Sequence, residues 1–251
     1  MAKLTLLQLT QKILNSMDSD DVNDIDDTEE AKQVVDIIEN TYLSLMSTAE
    51  WNHLKKPQQM ESLADSNFPS TLKIPDTVRH LEDFRYEVRE SATDDLEYKT
   101  LIWKDPIEFT ELVLNRNSTG SNIVTSTVKG ASTPLLIKND VPPSYWTSYD
   151  DTHITMDAYD SDIESTVQGS KSLAYCSVIP TFNSNSAAFV PECPIDMFPV
   201  LLAEATRACF FYLKEQDSPI DAKRIVAGSN FLKQKGARSH ERDRRVRFGR
   251  R

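Results

Sequence analysis

Near the N-terminus apolar residues return at three- and four-residue spacing: Leu6, Leu9, Ile13 and Met17, joined by Leu7 and Leu14. That period places one apolar stripe on a helix. It breaks at MDSDDVNDIDDTEE, Met17 to Glu30, whose eight carboxylates predict a loop. The helical period resumes from about Thr28 to Trp51, with Val34, Val35, Ile38, Tyr42, Leu45, Met46 and Ala49 on one side. Asp27 is the expected N-cap of this second helix, with Glu30 three residues on, and carboxylates there suit the helix dipole. Two helices with a short connection predict an antiparallel pair whose apolar faces need a further partner.

From Pro57 to about Pro180 the period shortens. Strands are predicted at Ser70 to Ile74, Leu81 to Val88, Tyr98 to Lys104, Ile123 to Val128, Leu135 to Lys138, His153 to Tyr159 and Ser172 to Ile179, separated by Pro, Gly, Asn and Asp clusters. Within HITMDAY, Ile154, Met156 and Ala158 alternate with Thr155 and Asp157, which predicts one buried and one wet face. A short helix is expected at about Pro106 to Asn115, its proline in the first turn.

After Pro194 the helical period returns through Met197, Phe198, Leu201, Leu202, Ala205, Ala208, Cys209, Tyr212 and Leu213, with Asp196 as expected cap. SPID, Ser218 to Asp221, restarts a helix that runs to about Lys235, and Gly236 ends it. The chain thus divides into 1–56, a helical hairpin; 57–193, a β-rich domain with a short helix; 194–236, helices; and 237–251, a basic arm. The expected class is α+β: a helical bundle built from the N- and C-terminal helices, with an inserted antiparallel β-rich domain and an extended C-terminal arm.

A chain of 251 residues is long enough to bury a core without staples. Its three cysteines, Cys176, Cys193 and Cys209, lack metal-ligand spacing and predict reduced thiols in a cytosol-like compartment. MAKLTLLQLTQKILNSM is interrupted by glutamine and threonine and has no small-residue cleavage site, unlike a signal peptide. No run reaches the roughly 18 apolar residues of a membrane span. Six glycines form neither GxxxxGK[ST] nor GxGxxG, and the four histidines, His53, His80, His153 and His240, are scattered. No catalytic, cofactor-binding or metal residue is therefore assigned.

Two stretches carry a second reading. Asp18, Asp20 and Glu29 fit the first, third and twelfth places of a calcium loop, but Val22 and Asn23 break the template. A solvated helix connection is favoured. YWTSYDD, Tyr145 to Asp151, has the composition of a carbohydrate or base-stacking platform, although aromatics in a strand-rich region more often pack in a core.

Charge changes the picture at the C-terminus. The formal net charge is −11, yet residues 233–251 hold nine Lys/Arg and two Asp/Glu, a net of +7, leaving −18 on residues 1–232. So acidic a body repels phosphate, and any nucleic-acid contact falls to the tail or to an assembly's lining. The tail's cations beyond Lys235 are all arginine: Arg238, Arg242, Arg244, Arg245, Arg247, Arg250 and Arg251. Arginine forms bidentate forks with carboxylate or phosphate. Val246 and Phe248 lie between the arginines and favour a docking segment that orders on binding.

Long strings of this chain resemble head-to-tail adaptor proteins, also called tail tubular protein A, of short-tailed podoviruses of the autographivirus type. They are LTLLQLTQKILNSMDSDDVNDIDDTEEAKQVVDIIENTYLSLM (Leu4 to Met46), LIKNDVPPSYWTSYDD (Leu136 to Asp151), MDAYDSDIESTVQGSK (Met156 to Lys171) and FPVLLAEATRACFFYLK (Phe198 to Lys214). The resemblance implies a virion protein without chemistry, made in the host cytoplasm. It would form a ring, expected to be dodecameric, beneath the portal protein and receive the tail nozzle, tail tubular protein B. DNA would pass through its channel without sequence-specific binding, and no membrane is involved. Arg238, Arg242, Arg244, Arg245, Arg247, Phe248, Arg250 and Arg251 would then dock on the portal. Two alternatives remain: a nucleic-acid-binding module using the same tail, and a tail hydrolase using carboxylate pairs from the Asp-rich loops.

Overall fold

In the computed structural model, residues 3–48, 51–63, 65, 67–88, 95–130, 133–160 and 168–215 are described. The chain is mixed α+β, and its contacts divide it into two compact units. One unit takes the described residues of Met1–Leu54 and Pro180–Arg251; the other is Lys55–Ile179. No helix among the described residues is long and apolar enough to cross a membrane.

The first unit is helical. Helix α1 is Leu6–Ser16, and Thr5 closes a capping box at its start: Gln8 N–H donates to Thr5 Oγ1 at 3.3 Å, and Thr5 N–H donates to Gln8 Oε1 at 3.1 Å. Leu6, Leu9, Ile13 and Leu14 are buried. The helix ends where Asp18 turns left-handed (φ 54°) and Ser19 N–H bonds back to Leu14 O.

Helix α2, Glu29–Ser47, begins one residue later than the sequence predicts. Asp27 is not its cap, because the Asp27 carboxylate already accepts the Asn23 and Asp24 N–H groups at 2.7 and 2.8 Å. Thr28 caps instead, accepting from Ala31 N–H at 3.1 Å. The helix stops short of Trp51, since the Leu45 carbonyl takes donors from the Thr48 hydroxyl (2.7 Å) and the Trp51 indole (3.2 Å).

Helix α4, Phe198–Lys214, packs along α2 and also touches α1. Asp196 does not cap it; that residue lies in a 3₁₀ turn, Ile195–Met197, which runs into the helix, with Pro199 tolerated in the first turn. The segment 180–193 joins this unit, not the strands. Leu6 and Leu7 N–H groups, left over at the α1 start, donate to Phe189 O and Ala187 O at 2.7 and 3.1 Å. Tyr42 is fully buried, donates to Glu192 O at 3.3 Å and stacks obliquely on Phe182. The predicted helix from Ser218 to Lys235 lies outside the described residues.

Among its described residues the second unit holds eleven strands and one α-helix, α3, Pro106–Leu114. Asp105 caps α3 by accepting from Ile107 N–H at 2.9 Å. One sheet has the order β1 (Lys55–Gln58), β11 (Ser172–Val178), β4 (Val78–Glu87), β5 (Tyr98–Thr100). A second runs β2 (Glu61–Ser62), β3 (Thr71–Lys73), β10 (His153–Met156), β9 (Tyr145–Thr147), β6 (Ile102–Trp103). A hairpin, β7 (Ile123–Thr127) and β8 (Pro134–Lys138), stands apart. Among the described residues the strand pairings are antiparallel except β6 with β9, which is parallel, as is the isolated bridge between Lys138 and Ala158, so the antiparallel expectation is corrected there.

Among the described residues two hydrophobic clusters fill this unit. Leu72, Phe84, Tyr86, Ile154, Met156 and Ala174 join the two larger sheets face to face. Phe109, Val113, Leu135 and Ile137 join α3 to the hairpin. Each fully buried aliphatic or aromatic side chain stabilises by about 1.5–3 kcal/mol. Strand β10 corrects a second expectation: Thr155 and Asp157 are as buried as Ile154 and Met156. The face expected to be wet is covered because β9 sends Tyr145 to the α3 cluster, while Trp146 packs on the sheet cluster.

Candidate functional site

The tail residues predicted to dock, Arg238, Arg242, Arg244, Arg245, Arg247, Phe248, Arg250 and Arg251, lie outside the described residues. Within the described residues the acidic loop is a structured connection. Val22 and Ile25 are buried, and Glu30 accepts from the Ser19 hydroxyl at 2.9 Å and faces Lys214 at 3.4 Å. Among the described residues no group of three or more His, Cys, Asp or Glu side chains is placed to hold a metal ion.

YWTSYDD divides between core and surface. Tyr145 and Tyr149 pack on the α3 cluster, Tyr149 also sharing a 2.9 Å hydroxyl contact with Thr110. Trp146, Ser148 and Asp151 instead line an open groove of about 700 Å³ in the second unit. Trp103, half exposed on the edge strand β6, lines the same groove, as do Ile74 and the β4 residues Val78 to Glu82.

Strand β4 is irregular there. Its register with β11 skips Glu82 between Leu81 and Asp83, and skips Arg79 between Val78 and His80. Such bulges bend a strand and re-aim its side chains. Glu82 is held by Lys55 at 2.5 Å. Asp151 closes the other side in a left-handed conformation, φ 58°, which Asp tolerates better than most residues. Composition pointed to Trp146 and Asp151. Nothing in the sequence pattern pointed to Trp103, Arg79 or Glu82, since the bulges follow from pairing with a strand about ninety residues away in sequence.

Close to this motif, Asp150 accepts from His153: its Oδ2 is 2.6 Å from His153 Nδ1, and its Oδ1 takes the His153 and Thr152 N–H groups. Burial alone would raise the Asp150 pKa, but the hydrogen bonds from the His153 and Thr152 side chains and backbone outweigh it and hold it at about 2. Lys129 Nζ approaches His153 Nε2 at 3.1 Å.

The first unit presents a different surface. Ile37, Asn40, Thr41 and Ser44 of α2 face Glu204, Ala208 and Tyr212 of α4 across a groove of about 560 Å³. Phe211 and Tyr212 are 61% and 70% exposed, and Leu43 is exposed nearby on α2. Burial raises the Glu204 pKa, so charging this carboxyl within the groove is disfavoured. The cysteines are not nucleophiles in waiting: all three are buried, and burial raises Cys176, pushes Cys193 to about 11 and pushes Cys209 to about 12.

Comparison with protein-family models and with curated proteins finds no match to this chain.

Proposed function

We propose that this protein is a structural head-to-tail adaptor of a short-tailed phage, a virion component that forms a ring beneath the portal protein and receives the tail nozzle. The observation that carries the proposal is the run of four long strings, from Leu4 to Lys214 and in the family's order, that resemble such adaptors. In this reading α1, α2 and α4 belong to a helical bundle completed by the stretch Ser218 to Lys235. The mutual packing of the three described helices is consistent with it.

Surface chemistry supports an assembly role. Large apolar side chains stand exposed in both units: Phe211 and Tyr212 in one, Ile102 and Ile107 in the other. Clusters of this kind suit protein contacts. Side-by-side subunits in a ring, expected to be dodecameric, would cover them, and ring multiplicity would make weakly binding arms collectively strong. An acidic inner wall would let DNA pass without trapping it. The arginines from Arg238 to Arg251 would dock on portal carboxylates, with Phe248 as an apolar anchor.

A nucleic-acid-binding module is the second reading, favoured by the seven arginines of the same tail. Deletion of residues 237–251 separates the two. As an adaptor, the truncated protein stays folded and no longer joins portal-bearing heads. As a nucleic-acid module, it instead loses a steeply salt-dependent affinity for DNA. Unchanged head joining by the truncated protein overturns the docking proposal.

A further inference from the structure

We propose that the groove beside β4 is a binding site for a neutral oligosaccharide. This goes beyond the adaptor reading and does not depend on it. Trp103 is 55% exposed, while Trp146 is anchored by a near-perpendicular contact with the Phe84 ring at 5.7 Å. One indole is thus free to take up a ligand face and the other is fixed in place. Sugar rings offer apolar C–H faces that stack on indoles, and Ile74, Val78 and Leu81 extend the apolar lining.

The polar groups select among ligands. Ser148 Oγ is buried in the groove wall and has no hydrogen-bond partner among the described residues. A buried hydroxyl without a partner is costly, and a ligand hydroxyl matches it as donor or acceptor. Arg79 and His80 stand against Glu82 and Asp151, so neither sign dominates the lining. A phosphodiester would meet two carboxylates, whereas sugar hydroxyls pair with carboxylate and guanidinium alike. The β4 bulges at Arg79 and Glu82 bring these side chains to the groove, and an open volume of about 700 Å³ suits a short chain of sugars.

The test follows tryptophan emission of the full-length protein while cellohexaose, maltohexaose or chitohexaose is added, with oligothymidylate titrated in parallel. A saturable response to at least one of the sugars is expected. Trp103→Ala should weaken that binding about tenfold, the size of one lost stacking ring. Trp103→Tyr, which keeps a stacking face, should recover most of it. Both variants alter an exposed side chain, and unchanged thermal unfolding shows that the fold is kept. No saturation with any of the three sugars, saturation undiminished in Trp103→Ala, or saturation by oligothymidylate alone overturns the proposal.

Discussion

The Arg116 guanidinium meets the Asp157 carboxylate at 2.8 Å, with the two side chains 12% and 8% exposed. Arg116 follows α3, and its other terminal nitrogen donates to Leu136 O and Asp157 O. The second Asp157 oxygen accepts the Ser144 and Tyr145 N–H groups, both at 2.8 Å. One ion pair therefore ties the end of α3 to strands β8, β9 and the end of β10. Removing one partner of a buried pair leaves the other charge unmatched, at about 3–5 kcal/mol. Arg116→Ala and Asp157→Ala should each lower the unfolding free energy by about 3 kcal/mol, at the low end of that range because a little solvent reaches both groups. Urea unfolding monitored by far-ultraviolet circular dichroism checks this.

Asp150 predicts an acid-sensitive step. Its folded pKa, about 2, lies below the ordinary 3.8, so its contribution is complete above pH 3.8 and is lost as pH falls toward 2. In Asp150→Asn the thermal midpoint should depend less on pH across that window than in the unaltered protein. Parallel midpoint curves for the two proteins would contradict the assignment.

Thiol chemistry offers a third measurement. Burial is the first cause of each raised thiol pKa; nearby Lys3 partly offsets it at Cys193, and Glu30 adds to it at Cys209. Native protein at mildly alkaline pH should react slowly with iodoacetamide at all three positions, and urea should expose Cys193 and Cys209 together, since both lie in the first unit. Mass spectrometry of the labelled peptides reads both rates.

Helix capping distinguishes two adjacent residues. Thr28→Ala should cost about 1 kcal/mol through loss of the α2 cap. Asp27→Ala should instead loosen the 19–27 connection, raising amide exchange at Asn23 and Asp24, whose N–H groups Asp27 accepts. Hydrogen exchange followed by nuclear magnetic resonance separates the two effects.

Local periodicity made most elements legible. Leu6, Leu9 and Ile13 mark α1, and Pro106 marks α3 within a residue, because both helices declare themselves by spacing and capping inside their own span. Strands β1, β2 and β9 were not legible, being two to four residues long and defined by distant partners such as Ser177 for Lys55. Asp157 misled for the same reason: a carboxylate in an alternating strand reads as exposed, and the guanidinium that buries it comes from forty-one residues earlier. YWTSYDD was legible in composition but not in direction, since the β9 pleat alone decides that Tyr145 turns inward to the α3 cluster and Trp146 to the sheets. The groove partner Trp103 needed the parallel β6–β9 pairing, which brings it beside Trp146.

Negative-stain imaging of the full-length protein mixed with the portal protein encoded alongside it tests the proposed adaptor ring. Rings capping the portal, with a central channel, are the expected result. Monomers that leave the portal bare at every mixing ratio would contradict the proposal.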